Sequence, residues 1–280
     1  MIHIRNLGFN EFDLLLRWAA AEGWNPGLDD AMPFHSADPK GFLVGEINGE
    51  PASLISAVRY SDAYGFLGFY ICAPAFRGHG HGWAIWHAAM AQLDNHVVGL
   101  DGVIDQQDNY RKSGFALAHR NIRHGGTVAC ETPDDSRLVV VNNNLIPALL
   151  EFDRGFVPAP RDAFCQAWLD PSITSRHSLA LIEDGEIIGQ GTIRKCHDGW
   201  KIGPLFARSE IEADLLFRGL CSKAGGETVF LDTPEPNQAA LALAARFGLA
   251  PVFETARMYR GEAPPLRLDQ IFGNTTFELG

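Results

Sequence analysis

The sequence has too few positive charges for a protein that binds nucleic acids or anionic membranes. Its 280 residues carry 23 Lys and Arg against 34 Asp and Glu, a formal net charge of −11 at pH 7. Proteins that bind phosphate-rich surfaces use clustered Lys and Arg to replace counterions, and an acidic chain does not favour such partners. We therefore expect neither a nucleic-acid partner nor a membrane partner.

Cysteines and long apolar runs are also scarce. The cysteines are odd in number, scattered and without a Cys-x-x-Cys pair: Cys72, Cys130, Cys165, Cys196 and Cys221. This pattern predicts neither a disulfide framework nor a zinc or other metal site. No stretch approaches the ~20 apolar residues that span a bilayer, and Met1–Arg5 does not resemble the start of a signal peptide. We expect a cytoplasmic protein of a reducing compartment.

Two hairpin signals, far apart in the chain, indicate an internal repeat. Asn48-Gly49 and Asp184-Gly185 each separate two apolar segments, and both dipeptides tolerate the positive φ angles of tight hairpin turns. Asp101 and Asp232 each end a later apolar segment, and nearly the same interval separates them. A duplicated unit explains both intervals. The alternative is two unrelated α/β domains that share strands and turns.

Each half has the same predicted order of elements. A hairpin is followed by a further strand, a proline-containing loop and a helix, predicted over 82–93 and 211–224. A strand, a short helix and a closing strand complete each half, the closing strands near 118–123 and 252–259. The order predicts the α/β class. A polar stretch, Asp134–Asn144, places the boundary between two units, 1–140 and 141–280.

The loop before the first main helix is rich in glycine. It reads Arg77-Gly78-His79-Gly80-His81-Gly82 and joins an apolar strand to an apolar helix. At such a junction, glycines expose successive backbone N–H groups to an anion, and the helix dipole adds positive charge. We expect these six residues to bind a diphosphate, with Arg77 either bracing the loop or reaching a phosphate oxygen.

The spacing of the loop excludes two common phosphate motifs. No Lys-Ser/Thr follows the last glycine, and the glycines do not fit G-x-G-x-x-G. Arg77, Gly80 and Gly82 do fit R-x-x-G-x-G/A, which resembles the coenzyme A pyrophosphate loop of the GNAT N-acetyltransferase superfamily. The alternative is a glycine-rich turn with a structural role only.

A second segment, Asn109–Phe115, resembles the Y-x-x-x-G-F sequence that follows the fifth strand in GNAT enzymes. The resemblance implies that Tyr110 lies near the sulfur of coenzyme A and protonates the departing thiolate. A phenol with a pKa of ~10 is protonated at neutral pH and suits this role. The alternative is a helix tyrosine packed on the sheet. The family often has Asn seven residues before this tyrosine, whereas this sequence has Val103.

The resemblance also assigns the strand before the loop, Gly68–Cys72. In GNAT folds this strand separates from its neighbour, and its backbone binds the pantetheine arm and polarises the acyl carbonyl. We accordingly assign backbone roles to Ile71 and Cys72. The Cys72 thiol is interpreted as a core group, because no partner that would activate it is evident.

The second half lacks both features. Ile211 stands where the loop needs glycine, two glutamates flank it, and Ala244 stands where tyrosine is expected. A β-branched residue resists the loop geometry and carboxylates repel a diphosphate. The segment beginning at Asn237 keeps the family's pattern. We interpret residues 141–280 as a divergent, non-catalytic GNAT-like domain with a structural or substrate-shaping task.

The resemblance, to bacterial tandem-GNAT proteins, covers nearly the whole chain. It implies two α/β domains, each with a mixed, mostly antiparallel sheet flanked by helices. It also implies acetyl transfer from acetyl-CoA to a primary amine of a small molecule, for which the negative charge favours a polyamine or lysine-like acceptor. Six residues are candidates for the general base: Glu22, Asp29, Asp30, His79, His81 and Asp101.

Two other functions remain open at this stage. One is a coenzyme A-binding regulator in which neither half catalyses a reaction. The other is an acyltransferase that uses a longer acyl-CoA or an aminoacyl-tRNA, although the net charge speaks against tRNA. The sequence also leaves open whether the chain acts alone or as a homodimer.

Overall fold

A computed structural model describes residues 2–280, and Met1, with which the first predicted unit begins, lies outside the described residues. The two predicted hairpin turns are present. Asn48 and Gly49 have φ angles of 52° and 83°, and Asp184 and Gly185 have 51° and 83°. These are the positive values that direct a two-residue turn between twisted antiparallel strands.

The first half contains six strands and four α-helices: β1 (His3–Asn6), α1 (Phe12–Ala21), α2 (Ala31–Ala37), β2 (Phe42–Ile47), β3 (Glu50–Arg59), β4 (Tyr64–Cys72), α3 (His81–Gln92), β5 (Val97–Val103), α4 (Gln107–Lys112) and β6 (Ala116–Thr127). The second half repeats this order in the main: β7 (Leu138–Val140), α5 (Ile146–Asp153), α6 (Asp162–Trp168), β8 (Arg176–Glu183), β9 (Glu186–Lys195), β10 (Trp200–Ala207), α7 (Glu210–Cys221), β11 (Thr228–Pro234), α8 (Gln238–Arg246), β12 (Ala250–Arg260) and β13 (Ile271–Gly273). Across residues 2–280, no helix has the length and apolar character needed to span a bilayer.

The strands form one mixed, mostly antiparallel sheet, in which the closing strands of the two halves are exchanged. The order is β1-β2-β3-β4-β5-β12-β6-β11-β10-β9-β8-β7. β12, from the second half, pairs with β5, and β6, from the first half, pairs with β11. The predicted closing strands therefore exist, but each completes the other half. β6 and β12 also pair with each other at the centre.

Because of this exchange, the units predicted on either side of residue 140 do not coincide with the structural halves. The polar stretch Asp134–Asn144 contains β7, a short edge strand that pairs with β8, so it is not an unstructured linker. β7 ends at residue 140, inside the first predicted unit, but this pairing places it with the second half. Three neighbouring pairs of strands join the two halves: β5 with β12, β12 with β6, and β6 with β11. The division into 1–140 and 141–280 thus describes the order of the sequence, whereas each structural half contains one strand of the other.

Buried contacts join the halves outside the sheet as well. Asp30, in the first half, accepts hydrogen bonds from Arg176 and Arg194 of the second at 3.0 and 3.2 Å. Phe34 packs against Phe164 and Trp168, with ring centroids 6.5 Å away from each. These side chains are buried. Because buried charges are stable only when paired, the Asp30 cluster makes the two halves interdependent.

The residues after β13, Asn274–Gly280, are called here the closing segment, and they return to the first half. The Tyr60 hydroxyl donates to the Leu279 carbonyl at 2.8 Å, and Arg161 donates to the Gly280 carbonyl at 2.8 Å. The segment passes so close to β4 that a Cβ on Gly68 would lie 1.9 Å from the Glu278 carbonyl oxygen.

This close approach gives a testable expectation. Gly68→Ala must displace the closing segment, and we expect it to lower the free energy of unfolding by about 1–3 kcal/mol, the usual cost of overpacking. Gly155→Ala is the matched control, because its Cβ would lie 3.3 Å from the nearest atom. Urea unfolding of both variants measures the difference. Equal stabilities would show that the segment does not lie against Gly68.

Candidate active site

The edges of β4 and β5 separate partway along their length. The two strands pair in parallel only from Tyr64–Val97 to Leu67–Leu100. Beyond this point β4 stays paired with β3, and β5 with β12. The gap opens into a cavity of about 570 Å³. An unpaired strand edge inside a cleft offers N–H and C=O groups to a ligand.

The alternation of the antiparallel ladder decides which β4 residues face this gap. The Ala73 N–H donates to the Ala52 carbonyl, and Cys72 lies opposite Ser53 between hydrogen-bonded pairs. The backbone N–H and C=O of Cys72 therefore point to the unpaired edge, whereas those of Ile71 point toward β3. This geometry differs from the expectation that both residues present their backbone to the ligand. Backbone groups of successive strand residues point alternately to the two neighbouring edges, and the sequence alone does not tell which residues face which edge. That choice depends on the pairing register with β3.

A bulge in β4 distorts the same edge. The pairing between β3 and β4 shifts between Leu54 and Ser56, so that Phe69 and Tyr70 lie opposite one residue. Phe69 has a φ of 49°. A positive φ is uncommon for a bulky residue and is maintained only where the surrounding structure enforces it. Bulges of this kind are frequent beside active sites because they redirect backbone groups.

The glycine loop, Arg77–Gly82, lies where β4 leads into α3. Arg77 lines the cavity, whereas the residues from Gly78 to Gly82 are not among its lining. Gly78 and Gly80 have φ angles of 79° and 80°, and a Cβ on either would meet no atom within 4 Å. No backbone N–H from residue 78 to residue 83 donates to a backbone carbonyl, and the N-cap residue Gly80 provides no capping side chain. The N-terminus of α3 thus presents free N–H groups toward open space, as anion binding requires.

Arg77 braces the loop. Its Nε donates to the Cys72 carbonyl at 2.9 Å, and its guanidinium pairs with Glu22 at the end of α1. Both partners line the cavity. Two roles were predicted for Arg77, bracing the loop or reaching a phosphate oxygen, and these contacts correspond to bracing the loop. His79 is exposed and His81 half-buried.

Tyr110 lies on the other side of the gap, on α4. It is buried, its ring stacks on Trp86 with centroids 5.5 Å apart, and it lines the cavity. A Cβ on Gly102 would lie 2.4 Å from the Tyr110 ring, so the glycine of β5 gives the ring its space. Burial raises the pKa of Tyr110 far above its usual value, with a smaller contribution from Tyr70. The phenol is therefore fully protonated near neutral pH and available as a proton donor.

Most of the predicted base candidates have structural partners. Asp101 accepts from Arg257 at 2.8 and 2.7 Å and from Asn121 at 2.8 Å. Asp30 belongs to the buried cluster described above, Asp29 bonds to Ser175, and Glu22 pairs with Arg77. A carboxylate that a buried arginine holds in a bidentate pair is a poor base, because protonation breaks the pair.

The equivalent gap in the second half is filled. β10 pairs with β11 only over Trp200–Ile202, and β13 then pairs with β10 at Leu205 and Phe206. The N-terminus of α7 is capped as well. The Ser209 hydroxyl accepts from the Ile211 N–H at 3.2 Å and also bonds to the Glu212 carboxylate. This end of the helix therefore lacks the free N–H groups of the glycine loop and adds negative charge.

Two family models match the chain, one on each half. Residues 9–115 match the acetyltransferase (GNAT) family, and residues 149–273 match an acetyltransferase (GNAT) domain. The chain is also similar to the holothin acyltransferase of Pseudoalteromonas sp. (strain SANK 73390). The two are 33% identical over 273 residues, which cover 96% of this chain and 92% of that protein.

Solved structures share the whole fold at low sequence identity. A protein of Pyrococcus horikoshii described as a candidate acetyltransferase has a TM-score of 0.81 at 19% identity, covering 100% of this chain and 96% of its own. A tandem GNAT protein from the clavulanic acid biosynthesis pathway has a TM-score of 0.64 at 12% identity, covering 94% and 100%. At these identities the likeness concerns the fold alone.

Proposed function

Since the chain belongs to the GNAT acyltransferase family, with two GNAT domains in tandem, we propose that its first half transfers an acetyl group from acetyl-CoA to a primary amine of a small molecule. The acceptor proposed from the sequence is polyamine-like or lysine-like. The protein is proposed to act in the cytoplasm without nucleic-acid or membrane partners.

One observation carries the proposal. The unpaired edge of β4 has free N–H groups of the glycine loop at one end and the Tyr110 phenol across the gap. This arrangement suits a thioester bound along the strand with its diphosphate at the loop. The amine nitrogen attacks the carbonyl carbon, backbone N–H groups stabilise the oxyanion, and Tyr110 protonates the sulfur as the C–S bond breaks.

The second half is proposed to bind no acyl-CoA. The filled gap beside β10 and the capped N-terminus of α7 support this assignment. Its proposed task is to complete the fold and the cavity of the first half, to which it contributes β12 and the closing segment.

A thiol-release assay tests the proposal. Acetyl-CoA is supplied with polyamines, amino acids, aminoglycosides and aromatic monoamines, and free thiol is measured with and without each amine. We expect at least one amine to accelerate thiol release and to form the matching amide. If the protein binds acetyl-CoA and no amine in any class is acylated, the regulator alternative replaces the enzyme.

A longer acyl donor is the second candidate, and a groove beside the cavity favours it. The groove measures about 490 Å³, and Ile104, Ile122, Pro251 and Val252 are among its lining residues. It shares Val103, Asp105 and Phe253 with the main cavity. A hexanoyl-CoA donor with a higher kcat/KM than acetyl-CoA, for the same amine, would support this alternative.

A further inference from the structure

Part of the cavity wall in the first half comes from the second half. Phe253 and Thr255 lie on β12, and Phe277 and Glu278 lie on the closing segment, and all four line the same cavity as Tyr110 and Cys72. The exchange of β12 and the return of the closing segment thus bring residues far along the chain to the proposed reaction centre.

Glu278 is the buried carboxylate in this wall that has no protein partner among the described residues, whereas Asp105, which also lacks one, is exposed. Glu278 is only 4% exposed, yet no hydrogen bond reaches its carboxylate, and no charged nitrogen lies within 4.0 Å of it among residues 2–280. Buried charged groups are ordinarily paired, because removing a charge from water is costly. An unpaired one at a cavity indicates a ligand that supplies the missing partner.

Thr255, in the same wall, offers no second acceptor. It is 3% exposed, and its hydroxyl oxygen is inaccessible and has no hydrogen-bond partner in the described chain. A ligand in the cavity does not reach this oxygen, so the Glu278 carboxylate is the buried acceptor that the wall presents.

Three cations, Arg123, Arg194 and Lys201, act on Glu278 from beyond 4.0 Å. Arg123 forms a bidentate buried pair with Asp232, at 2.7 and 2.8 Å, and Lys201 donates to two backbone carbonyls. Arg194 donates to Asp30 and has one terminal nitrogen without a partner. The three charges offset that of Glu278 at longer range, but none of their nitrogens is hydrogen-bonded to it. Its carboxylate is therefore free to accept from a ligand.

The backbone around Glu278 is firmly held. The Leu279 N–H donates to the Thr276 hydroxyl at 2.9 Å, in addition to the bonds of Tyr60 and Arg161 to the last two carbonyls. Arg161 is itself fixed by a bidentate pair with Asp153. A carboxylate on such a support is pre-organised, which is what an acid–base group requires.

Four aromatic residues also line the cavity: Trp24, Phe69, Phe253 and Phe277. The Arg123 guanidinium lies over the rings of Phe253 and Phe277, 5.7 and 4.9 Å from their centroids, and the rings give the wall an apolar surface around it. Among the other acidic residues of the wall, Glu22 and Asp101 are paired with arginines, whereas Asp105 has no partner in the described residues and is exposed. The buried part of the wall therefore has one unpaired carboxylate, which fits a single amine and departs from the polyamine expected from the net charge.

We propose that Glu278 is the general base for an acceptor that carries one primary amine on a compact apolar body. This inference rests on the proposed function above. The Glu278 carboxylate accepts one N–H of the amine. As the nitrogen forms its bond to the thioester carbon, its proton passes to Glu278. The C–S bond breaks, and the thiolate takes the Tyr110 proton. Glu278 then holds the amine proton and Tyr110 is a phenolate, and transfer of that proton from Glu278 to Tyr110 restores both groups without a further reactant.

Benzylamine and spermidine are suitable probes, used with acetyl-CoA and the full chain. We expect kcat/KM for benzylamine to exceed that for spermidine at least about tenfold. Glu278→Gln is expected to lower kcat for benzylamine about 100-fold, with little change in acetyl-CoA affinity. Glu262→Gln, at an exposed position, is the matched control.

Two kinetic results would contradict the role of Glu278 or the acceptor class. Glu278→Gln with wild-type kcat, or spermidine preferred over benzylamine, overturns the inference. If no amine turns over, calorimetry on the coenzyme A-loaded protein decides. The inference predicts benzylamine binding below about 10 mM that Glu278→Gln weakens at least about tenfold, and no binding contradicts it. Failure to bind acetyl-CoA at all instead refutes the proposed function. A melting temperature of Glu278→Gln equal to that of the wild type excludes misfolding as the cause.

Discussion

Tyr110→Phe is expected to lower kcat for acyl transfer about 100-fold while changing the dissociation constant of acetyl-CoA less than about twofold. The substitution removes only the hydroxyl that is proposed to protonate the thiolate. The ring keeps its stacking on Trp86 and its place against Gly102, so the binding cavity is preserved. Because a group that acts only in the transition state affects kcat and not ground-state binding, the two quantities separate.

Tyr259→Phe is the matched control for this experiment. Tyr259 is also buried, and its hydroxyl has no hydrogen-bond partner in the described residues, but it does not line the cavity. The two variants therefore remove the same atom from similarly buried positions. Steady-state kinetics with one acceptor amine gives kcat and KM for both. A kcat within threefold of wild type for Tyr110→Phe would remove Tyr110 from the mechanism.

Gly80→Glu is expected to weaken acetyl-CoA binding at least about 100-fold, and kcat/KM should fall by a similar factor. Gly80 is the N-cap of α3, where the free N–H groups face the proposed diphosphate. A carboxylate there repels the diphosphate and adds an acceptor for the same N–H groups. The left-handed φ of 80° adds strain for any side chain.

Gly49→Glu separates the charge effect from the backbone effect. Gly49 has a φ of 83°, and its Cβ would also meet no atom within 4 Å, but it lies in the β2–β3 turn. Both variants carry the same strain and the same charge, so stability should fall by a similar amount in each. Calorimetric titration with acetyl-CoA compares their affinities. Equal weakening in both variants would mean that the glycine loop is not the diphosphate site.

Local features of the fold were predictable from the sequence because short-range chemistry dictates them. Asn48-Gly49 and Asp184-Gly185 form the predicted turns, since few other dipeptides adopt positive φ twice in succession. The predicted helices over 82–93 and 211–224 correspond to α3 (His81–Gln92) and α7 (Glu210–Cys221). The glycine loop lies at the strand-to-helix junction where its motif places it.

The strand exchange was not predictable in the same way. β6 and β12 are long strands in equivalent positions of the two halves, and either half offers an antiparallel edge for them. Which edge each strand joins depends on the packing of the halves, including the buried pairs of Asp30 with Arg176 and Arg194. A pattern within one strand does not encode that choice.

The site residues also fall into two groups: those in local sequence motifs and those that reach the site only through long-range packing. Tyr110 and the loop from Arg77 to Gly82 belong to local motifs, and of these residues Tyr110 and Arg77 line one cavity. Glu278 reaches that cavity only because the closing segment crosses β4 beside Gly68. No local pattern marks it, since its neighbours in sequence resemble an ordinary polar and apolar mixture. The backbone direction of Ile71 likewise depends on its register with β3.

The central claim is that the chain has one acyl-CoA site, formed by the gap between β4 and β5 and the glycine loop. Isothermal titration of the wild-type protein with acetyl-CoA measures the number of sites directly, and repeating it with Gly80→Glu assigns the site to a half. We predict one acetyl-CoA per chain, lost in Gly80→Glu. Two per chain, or a single site that persists in Gly80→Glu, would contradict the account.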